Sequence, residues 1–228
     1  MKAMLLAAGR GERLRPLTDT VPKALVEAGG KPLIAWHLER LAAAGCREAV
    51  VNVSHLGERI IEALGDGRRF GLRITYSREP ERLETAGGIA QALPMLGAGP
   101  FVLVNADVYC EYPLERLLGL ALGARLAHLV LVPNPEHRPR GDFALVDAEV
   151  RSDGAPRYTY AGLAVLSPEL VRTVRAGEKA ALAPFLYAAA DAGRMSGELY
   201  EGLWEDVGTR ERLAKLETLL NNRHNEHR

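Results

Sequence analysis

The chain of 228 residues has only two cysteines, Cys46 and Cys110, and no CxxC pattern. We therefore expect neither a disulfide framework nor a thiolate zinc site, and we expect a reducing compartment such as the cytoplasm. The 29 basic and 29 acidic residues cancel, so there is no electrostatic basis for general binding to nucleic acid or to an anionic membrane. We predict neither partner, and any anion site must be a local concentration of positive charge.

Long hydrophobic runs are also scarce. The N-terminal apolar run ends at Ala8, which is too short for a signal peptide. One uncharged stretch, from Ala86 to Ala106, has the length of a membrane span. It contains Pro94, Pro100 and four glycines, so we predict a helix, a turn and a strand there instead.

Short apolar runs alternate with helical patterns in the first half of the chain. Strands are predicted at residues 2–7, 49–53, 72–76, 101–105 and 128–132, with helices at 32–44, 58–64, 89–93 and 114–122. Beyond Pro133 we predict short strands at 143–146, 158–160 and 163–166 and helices at 169–175, 185–192 and 210–220. The pattern predicts an α/β fold: a Rossmann-like, doubly wound mixed sheet, mainly parallel, with helices on both faces and a small antiparallel β insertion. Without a repeat or a linker, residues 1–228 should form one domain.

Glycines and basic residues are concentrated in the segment Leu6–Leu25, directly after the first predicted strand. Gly9-x-Gly11 alone is a weak signal, since Leu14 replaces the third glycine of a dinucleotide-binding motif and no GK[ST] follows. The charge pattern is more specific, with four basic residues against two acidic ones: Arg10, Arg13, Arg15 and Lys23 against Glu12 and Asp19. This combination favours a phosphate-binding loop over its alternative, a solvated basic turn.

The same segment resembles a known family. LAAGRGERLRPLT, followed by Pro22-Lys23 and Lys31-Pro32-Leu33, is similar to the signature of the sugar-1-phosphate nucleotidyltransferases, and the resemblance extends over almost the whole chain. It implies the nucleotide-diphospho-sugar transferase fold, with an NTP-binding half at about 1–110 and a sugar-phosphate-binding half at about 111–228. It also implies that the loop surrounds the triphosphate, through residues matching Gly9, Gly11 and Glu12, while the backbone around Ala8 lies at the nucleobase. Arg13 and Lys23 would bind phosphate oxygens and act in catalysis.

Two aspartates are candidates for a metal site. Asp107 follows the strand predicted at 101–105, and Asp206 lies in the segment Trp204–Thr209. An isolated aspartate at such a place is more often a turn or cap residue, but Mg²⁺ needs only one or two carboxylates together with waters and phosphate oxygens. The family resemblance implies that Asp107 and Asp206 bind Mg²⁺ together, with Asp107 also catalytic. Many relatives have glycine where this chain has Ala106.

A third segment, Glu84-Thr85-Ala86-Gly87-Gly88, precedes a predicted helix. On local grounds it is either an N-capping threonine with permissive glycines or a contact for a polar ligand. The resemblance implies that Thr85 and Gly88 contact the nucleobase. Glu84 replaces a glycine common in relatives, and we expect its carboxylate to accept hydrogen bonds from sugar hydroxyls.

The sugar phosphate has less distinct candidates. Relatives often carry a Glu-Lys pair in mid-chain, whereas this chain has Arg140-Gly141-Asp142-Phe143. Arg140 is either a phosphate ligand or a solvated loop charge. Asn105 and Gly141 are candidate sugar contacts, the resemblance adds Gly162, and Lys179 is a further phosphate candidate.

The resemblance implies a magnesium-dependent enzyme whose substrates are an NTP and a sugar 1-phosphate, working as a monomer or a small homo-oligomer. Several segments are most similar to the branch that transfers the uridylyl group of UTP to N-acetylmuramate 1-phosphate in cell-wall recycling. The alternatives are a mannose-1-phosphate guanylyltransferase or a glucose-1-phosphate uridylyl- or thymidylyltransferase. A non-catalytic nucleotide-sugar sensor is the alternative of another class.

Overall fold

A computed structural model describes residues 1–226, with side chains to residue 223. The strands are β1 (Ala3–Leu6), β2 (Glu27–Ala28), β3 (Lys31–Pro32), β4 (Glu48–Val53), β5 (Arg73–Arg78), β6 (Phe101–Asn105), β7 (Val108–Cys110), β8 (Ala127–Val132), β9 (Phe143–Val146), β10 (Glu149–Arg151), β11 (Arg157–Leu166), β12 (Met195–Leu199) and β13 (Trp204–Asp206). The α-helices are α1 (Leu17–Thr20), α2 (Leu33–Ala43), α3 (Gly57–Leu64), α4 (Glu84–Leu96), α5 (Leu114–Leu118), α6 (Ala183–Asp191) and α7 (Arg210–Glu226).

Nine of these strands form one mixed sheet in the order β5-β4-β1-β6-β11-β8-β12-β10-β9. The first four are parallel, and among the nine only β10 and β11 run against the rest. β9 pairs with β10 and also with the start of β11, so the antiparallel part folds back on the sheet. The predicted doubly wound, mainly parallel α/β fold is confirmed.

Helices cover both faces because the strands are apolar on both faces. Alternate residues of β6 enter different cores: Val102 and Val104 pack with α2, α3 and α5, while Phe101 and Leu103 pack with α4 and α6. A period of two sends successive side chains to opposite faces, which is why this strand reads as a continuous apolar run.

Several predicted boundaries are wrong. The strands expected at 158–160 and 163–166 are one strand, β11, whose register with β8 shifts between Tyr160 and Ala164. Gly162 lies in this irregularity with φ 79°, a conformation that glycine adopts without a Cβ clash. The helix expected at 169–175 is only a 3-10 turn, Pro168–Val171. The helix expected at 114–122 ends at Leu118, and the last helix continues past Leu220 to Glu226.

A third apolar cluster joins the two ends of the chain. Leu216 and Leu220 of α7 are buried with Leu14 of the loop after β1 and with Val207. The short pair β7–β13 lies beside it. These contacts hold the N-terminal loop and the segment containing Asp206 against one another.

None of the helices among the described residues combines the length and the apolar character that a membrane span requires. The uncharged stretch from Ala86 to Ala106 forms most of α4, a turn and β6, as predicted.

Candidate active site

The site lies at the carboxyl edge of the parallel strands. One cavity there is lined by residues that follow β1, β4, β5 and β6: Leu6, Ala7, Ala8, Gly9, Lys23, Ala24, Asn52, Glu79, Arg82, Glu84, Thr85, Asn105, Ala106 and Asp107. β4 and β6 pair with opposite sides of β1, so the chain reverses direction across the sheet at this point. Loops diverge at such a reversal and leave a crevice in which α/β sheets bind ligands.

The loop after β1 is held in a tight conformation by Gly11. This residue has φ 66°, and a Cβ added to it would lie 2.8 Å from Thr18 Cγ2 and 3.1 Å from Lys23 Cβ. The Thr18 hydroxyl donates to the Gly11 carbonyl at 2.7 Å. A residue with a Cβ at position 11 would be strained at this φ, would collide with Thr18 and would crowd Lys23, so glycine suits this position.

Lys23 is the best-fixed cation of the loop. Its side chain is 12% exposed, and its Nζ donates to Asp107 Oδ2 at 2.5 Å. Asp107 follows β6 and lines both the first cavity and a second one. A lysine so deeply set beside a carboxylate is held for a specific charge interaction, since an unpaired ammonium would carry a large desolvation cost there.

Asp107 and Asp206 meet in the second cavity, although they are far apart in sequence. β7 and β13 are antiparallel, with Asp206 opposite Val108, and the Val207 N–H donates to the Asp107 carbonyl at 2.9 Å. The cavity is lined by Arg13, Lys23, Asn105, Asp107, Val108, Arg138, Tyr160, Gly162, Trp204, Asp206 and Gly208. Two carboxylates and several cations therefore face one space.

Each of the two carboxylates has a cation of its own. Asp107 has Lys23, and Asp206 Oδ1 accepts a hydrogen bond from Arg212 Nη1. His137 Nε2 is 3.2 Å from Asp206 Oδ2. Arg212 and His137 were not singled out in the sequence, because nothing in their local patterns indicates this contact.

The far end of the first cavity holds a buried polar pair. Asn52 and Glu79 are each less than 5% exposed, and Asn52 Nδ2 donates to Glu79 Oε1 at 2.6 Å. The amide of Asn52 also accepts from the Ala7 N–H at 2.8 Å. Both residues were missed in the sequence. Their places at the end of β4 and just after β5 were an available signal, since polar residues there face the ligand edge of a parallel sheet.

Gly88 lies against this pair. A Cβ at position 88 would be 2.5 Å from Glu79 Oε1 and 2.9 Å from Asn52 Nδ2, so the glycine permits the close approach of α4 to the polar pair. Thr85 lines the cavity directly. Thr85 is in the first turn of α4 rather than before the helix, since α4 begins at Glu84.

Glu84 has an unusual backbone for its residue type, with φ 61°. Its carboxylate is 3.6 Å from Lys179 Nζ, and the Lys179 side chain is two-thirds exposed. Glu84 lines the first cavity and a third one, which is formed by Arg82, Glu84, Thr85, Asn105, Arg138, Asp142, Phe143, Tyr160, Ala181, Leu182, Ala183, Leu186 and Tyr187. Non-glycine residues with a positive φ such as that of Glu84 are strained, and they are often kept for a functional reason.

Not every predicted residue reaches these cavities. The residues absent from their linings are Gly11, Glu12, Gly88, Arg140, Gly141 and Lys179. The Arg140 carbonyl accepts from Arg157 Nε, and Gly141 has φ 62° with a would-be Cβ 2.8 Å from Asn134 Oδ1, which are loop contacts. Arg138, two residues before Arg140, lines the second and third cavities instead.

Asn105 and Gly162, both candidates for sugar contact, lie next to each other. Asn105 lines all three cavities, and a Cβ at Gly162 would be 2.9 Å from Asn105 Nδ2. The irregularity in β11 therefore makes room for the Asn105 side chain.

Comparison with known proteins shows which family this chain belongs to. Residues 2–157 match the family described as "Nucleotidyl transferase". The chain belongs to this nucleotidyl transferase family. A relative from Neisseria meningitidis, named N-acetylmuramate alpha-1-phosphate uridylyltransferase, is 50% identical over 226 residues, covering 96% of this chain and 98% of its own.

More distant members of the family are also similar over much of the chain. A mannose-1-phosphate guanyltransferase from Aspergillus fumigatus is 33% identical over 91% of this chain, which spans 61% of that protein. A crystal structure from Bacillus anthracis, assigned as a glucose-1-phosphate thymidylyltransferase, superposes with a TM-score of 0.84 at 17% identity, covering 96% of this chain and 95% of the other. This structural likeness establishes the nucleotidyl transferase's fold alone.

Proposed function

We propose that this nucleotidyl transferase joins UTP to N-acetylmuramate α-1-phosphate and releases UDP-N-acetylmuramate and pyrophosphate. The observation that carries the proposal is the convergence of Arg13, Lys23, Asp107 and Asp206 on one cavity. The 50% identity to the Neisseria enzyme along almost all of both chains supports the choice of substrates. A cytoplasmic location and a role in cell-wall recycling belong to the same proposal.

In the proposed reaction, an oxygen of the sugar phosphate attacks the α-phosphorus of UTP. The new P–O bond replaces the bond to the β-phosphate, and pyrophosphate leaves with that electron pair. The nucleophile is already an anion, so no general base is needed. The difficulty is repulsion between two polyanions, and the charges of Arg13 and Lys23 at the cavity reduce it. Holding both substrates in line contributes on the order of 7–11 kcal/mol.

The donor set at Asp107 and Asp206 fits Mg²⁺. Both carboxylates line one cavity, and no group of three or more His, Cys, Asp or Glu side chains suited to a metal occurs among the described residues. Mg²⁺ accepts this arrangement because it keeps several waters and takes phosphate oxygens as further ligands, whereas zinc sites favour nitrogen and sulfur ligands. When bound, Mg²⁺ would neutralise charge on the phosphates.

We place the nucleobase beside Asn52 and Glu79. Uracil presents an N3–H donor and two carbonyl acceptors, and a buried carboxylate next to a carboxamide supplies complementary groups. Gly88 lets α4 pack closely against this polar pair, and Thr85 lines the same cavity. Guanine also presents donors on one edge, so this pocket by itself supports UTP and GTP alike.

We place the sugar in the third cavity, next to Glu84 and Asn105. Its wall includes Phe143 of β9, Leu182 just before α6, and Ala183, Leu186 and Tyr187 of α6. N-acetylmuramate carries an acetamide and a lactyl carboxylate, which need an apolar wall and a cation. Arg82 lines this cavity, and its guanidinium forms no ion pair with any described residue, so it is available to the carboxylate. Together with the loop after β1, this arrangement supports one domain with a nucleotide half and a sugar half.

The test is pyrophosphate release by the pure protein with Mg²⁺. UTP, GTP and dTTP are each combined with the 1-phosphates of N-acetylmuramate, N-acetylglucosamine, glucose and mannose. We expect the highest kcat/KM with UTP and N-acetylmuramate 1-phosphate. Turnover of mannose 1-phosphate with GTP alone would reject our choice in favour of a guanylyltransferase. Tight binding of UDP-sugar without any pyrophosphate release would favour a non-catalytic sensor.

A further inference from the structure

Arg212, in the first turn of α7, lies next to Asp206 and Gly208, two residues that line the second cavity. Its side chain is only 13% exposed. Nη1 donates to Asp206 Oδ1 and is 2.6 Å from His137 Nε2. An arginine this enclosed is held for a specific anion, because the guanidinium stays charged at every physiological pH.

Gly208 shows how close Arg212 comes to Arg13. A Cβ added to Gly208 would lie 2.3 Å from Arg212 Nη2 and 3.0 Å from Arg13 Nη2. The two guanidinium groups therefore face each other across a residue without a side chain. Among the described residues, no carboxylate pairs with Arg13. Of the two guanidinium groups, only that of Arg212 is neutralised, and its partner is Asp206. Like charges held this close raise the affinity for a multivalent anion between them.

The partner of Arg212 is one of the two carboxylates proposed to hold Mg²⁺. Lys23 stands in the same relation to Asp107. Once a divalent cation occupies the two carboxylates, Lys23 and Arg212 lose much of the attraction to their present partners. Phosphate oxygens entering the same cavity are the anions left within reach, and a guanidinium binds them through two parallel hydrogen bonds.

We infer that Arg212 is a phosphate-binding residue which, with Arg13, holds the β- and γ-phosphates of the nucleotide and then the departing pyrophosphate. The identity of the nucleotide rests on the proposed function, whereas the inference that Arg212 binds a phosphate anion does not. It adds a cation from the last helix to a site otherwise built from the N-terminal loop and the central strands. In the ligand-free enzyme, Asp206 keeps Arg212 at the site and neutralises it.

The experiment measures pyrophosphate binding by calorimetry at saturating Mg²⁺, with the full chain and its Arg212→Gln and Arg212→Lys variants. We expect Arg212→Gln to weaken pyrophosphate binding about tenfold or more, as for a lost hydrogen bond to a charged group, and Arg212→Lys to recover part of the loss. In the reverse reaction the KM for pyrophosphate should rise while the KM for UDP-N-acetylmuramate stays constant. Arg210→Gln is the matched control, because Arg210 is exposed in the same turn.

The apparent affinity for Mg²⁺ separates this role from a structural one. If Arg212 only orients Asp206, Arg212→Gln will weaken Mg²⁺ binding and leave pyrophosphate affinity at saturating Mg²⁺ unchanged, and the inference is overturned. If Arg212 binds phosphate, removing a cation that competes for Asp206 will leave Mg²⁺ affinity equal or higher. Thermal unfolding of each variant checks the fold, and Arg212→Lys keeps the test valid if Arg212→Gln unfolds. A wild-type protein that makes no UDP-N-acetylmuramate would contradict the proposed substrates, while the pyrophosphate measurement would still decide the role of Arg212.

Discussion

Because the backbone at Glu84 is strained, we predict that glycine is more stable than alanine at this position, which is the reverse of their usual order in a helix. At an ordinary helical position, glycine is less stable than alanine by about 0.5–1 kcal/mol because it has more freedom in the unfolded chain. Glu84 has φ 61°, where any side chain with a Cβ costs about 1–2 kcal/mol. The second effect exceeds the first, so we expect Glu84→Gly to be more stable than Glu84→Ala by roughly 0.5–1 kcal/mol.

Thermal unfolding measures this difference directly. For a chain of this size, 1 kcal/mol corresponds to about 2–4 °C in Tm. By this conversion, Glu84→Gly should melt about 1–4 °C above Glu84→Ala. Both variants lose the ion pair with Lys179, which contributes less than about 1 kcal/mol at this exposure. Because the loss is common to both, it cancels in the comparison. Lys179→Ala measures it separately.

Activity provides the second half of the same test. Both Glu84 variants lack the carboxylate, so both should raise the KM for the sugar 1-phosphate by about tenfold and leave the KM for UTP unchanged. If Glu84→Gly is more stable than Glu84→Ala and binds the sugar 1-phosphate more weakly than the wild type, Glu84 is a strained residue kept for its function. A glycine variant less stable than the alanine variant would refute the backbone argument. Unchanged KM values in both would show that the strain has no role in sugar binding.

Three further predictions concern the loop, the glycine between the guanidinium groups and a buried histidine. Lys23→Ala should keep the far-UV circular dichroism spectrum and a Tm within a few degrees of the wild type, yet lose at least about a hundredfold in kcat, as for other preorganised charge contacts. A loss of the native spectrum and a large fall in Tm together with kcat would instead show that Lys23 has a structural role. Gly208→Ala should raise the KM for UTP, since its Cβ collides with two guanidinium groups, whereas Gly99→Ala, whose Cβ meets nothing within 4 Å, should leave it unchanged. Burial lowers the pKa of His37 from 6.5 to about 4, and its Nε2 lies 2.6 Å from the Val108 carbonyl. Since the unfolded chain binds a proton that the native chain excludes, stability is full above pH 6.5 and falls as the pH drops toward 4, by about 2 kcal/mol at pH 5. Urea unfolding at pH 7 and pH 5 should show this loss in the wild type, and a difference as large in His37→Gln would contradict the assignment.

Local sequence patterns were sufficient wherever a structural feature depends on neighbouring residues. The strand at 101–105 was predicted with its observed bounds, because an apolar run of that length between turns has few other structures available. The single strand β11 was not predicted. Gly162 lets it continue through an irregularity, where the turn residues indicate two separate strands. The start of α4 at Glu84 was also hidden, since the residue adopts a conformation that its own preference opposes.

The α/β architecture, the cationic loop after the first strand and the family signature that points to phosphate chemistry are all predictable from the amino-acid sequence. These are carried by short-range properties: apolar periodicity, glycine spacing and local charge. Which side chains meet in the site depends on the folded chain. Asp206 comes beside Asp107 through the pairing of β13 with β7, Arg212 reaches Asp206 and Arg13 from the last helix, and Asn52 meets Glu79 at the ends of adjacent strands. Contacts between residues so far apart along the chain depend on how the whole sheet is wound. The family resemblance implies that Asp107 and Asp206 meet, but periodicity, spacing and local charge indicate none of these contacts.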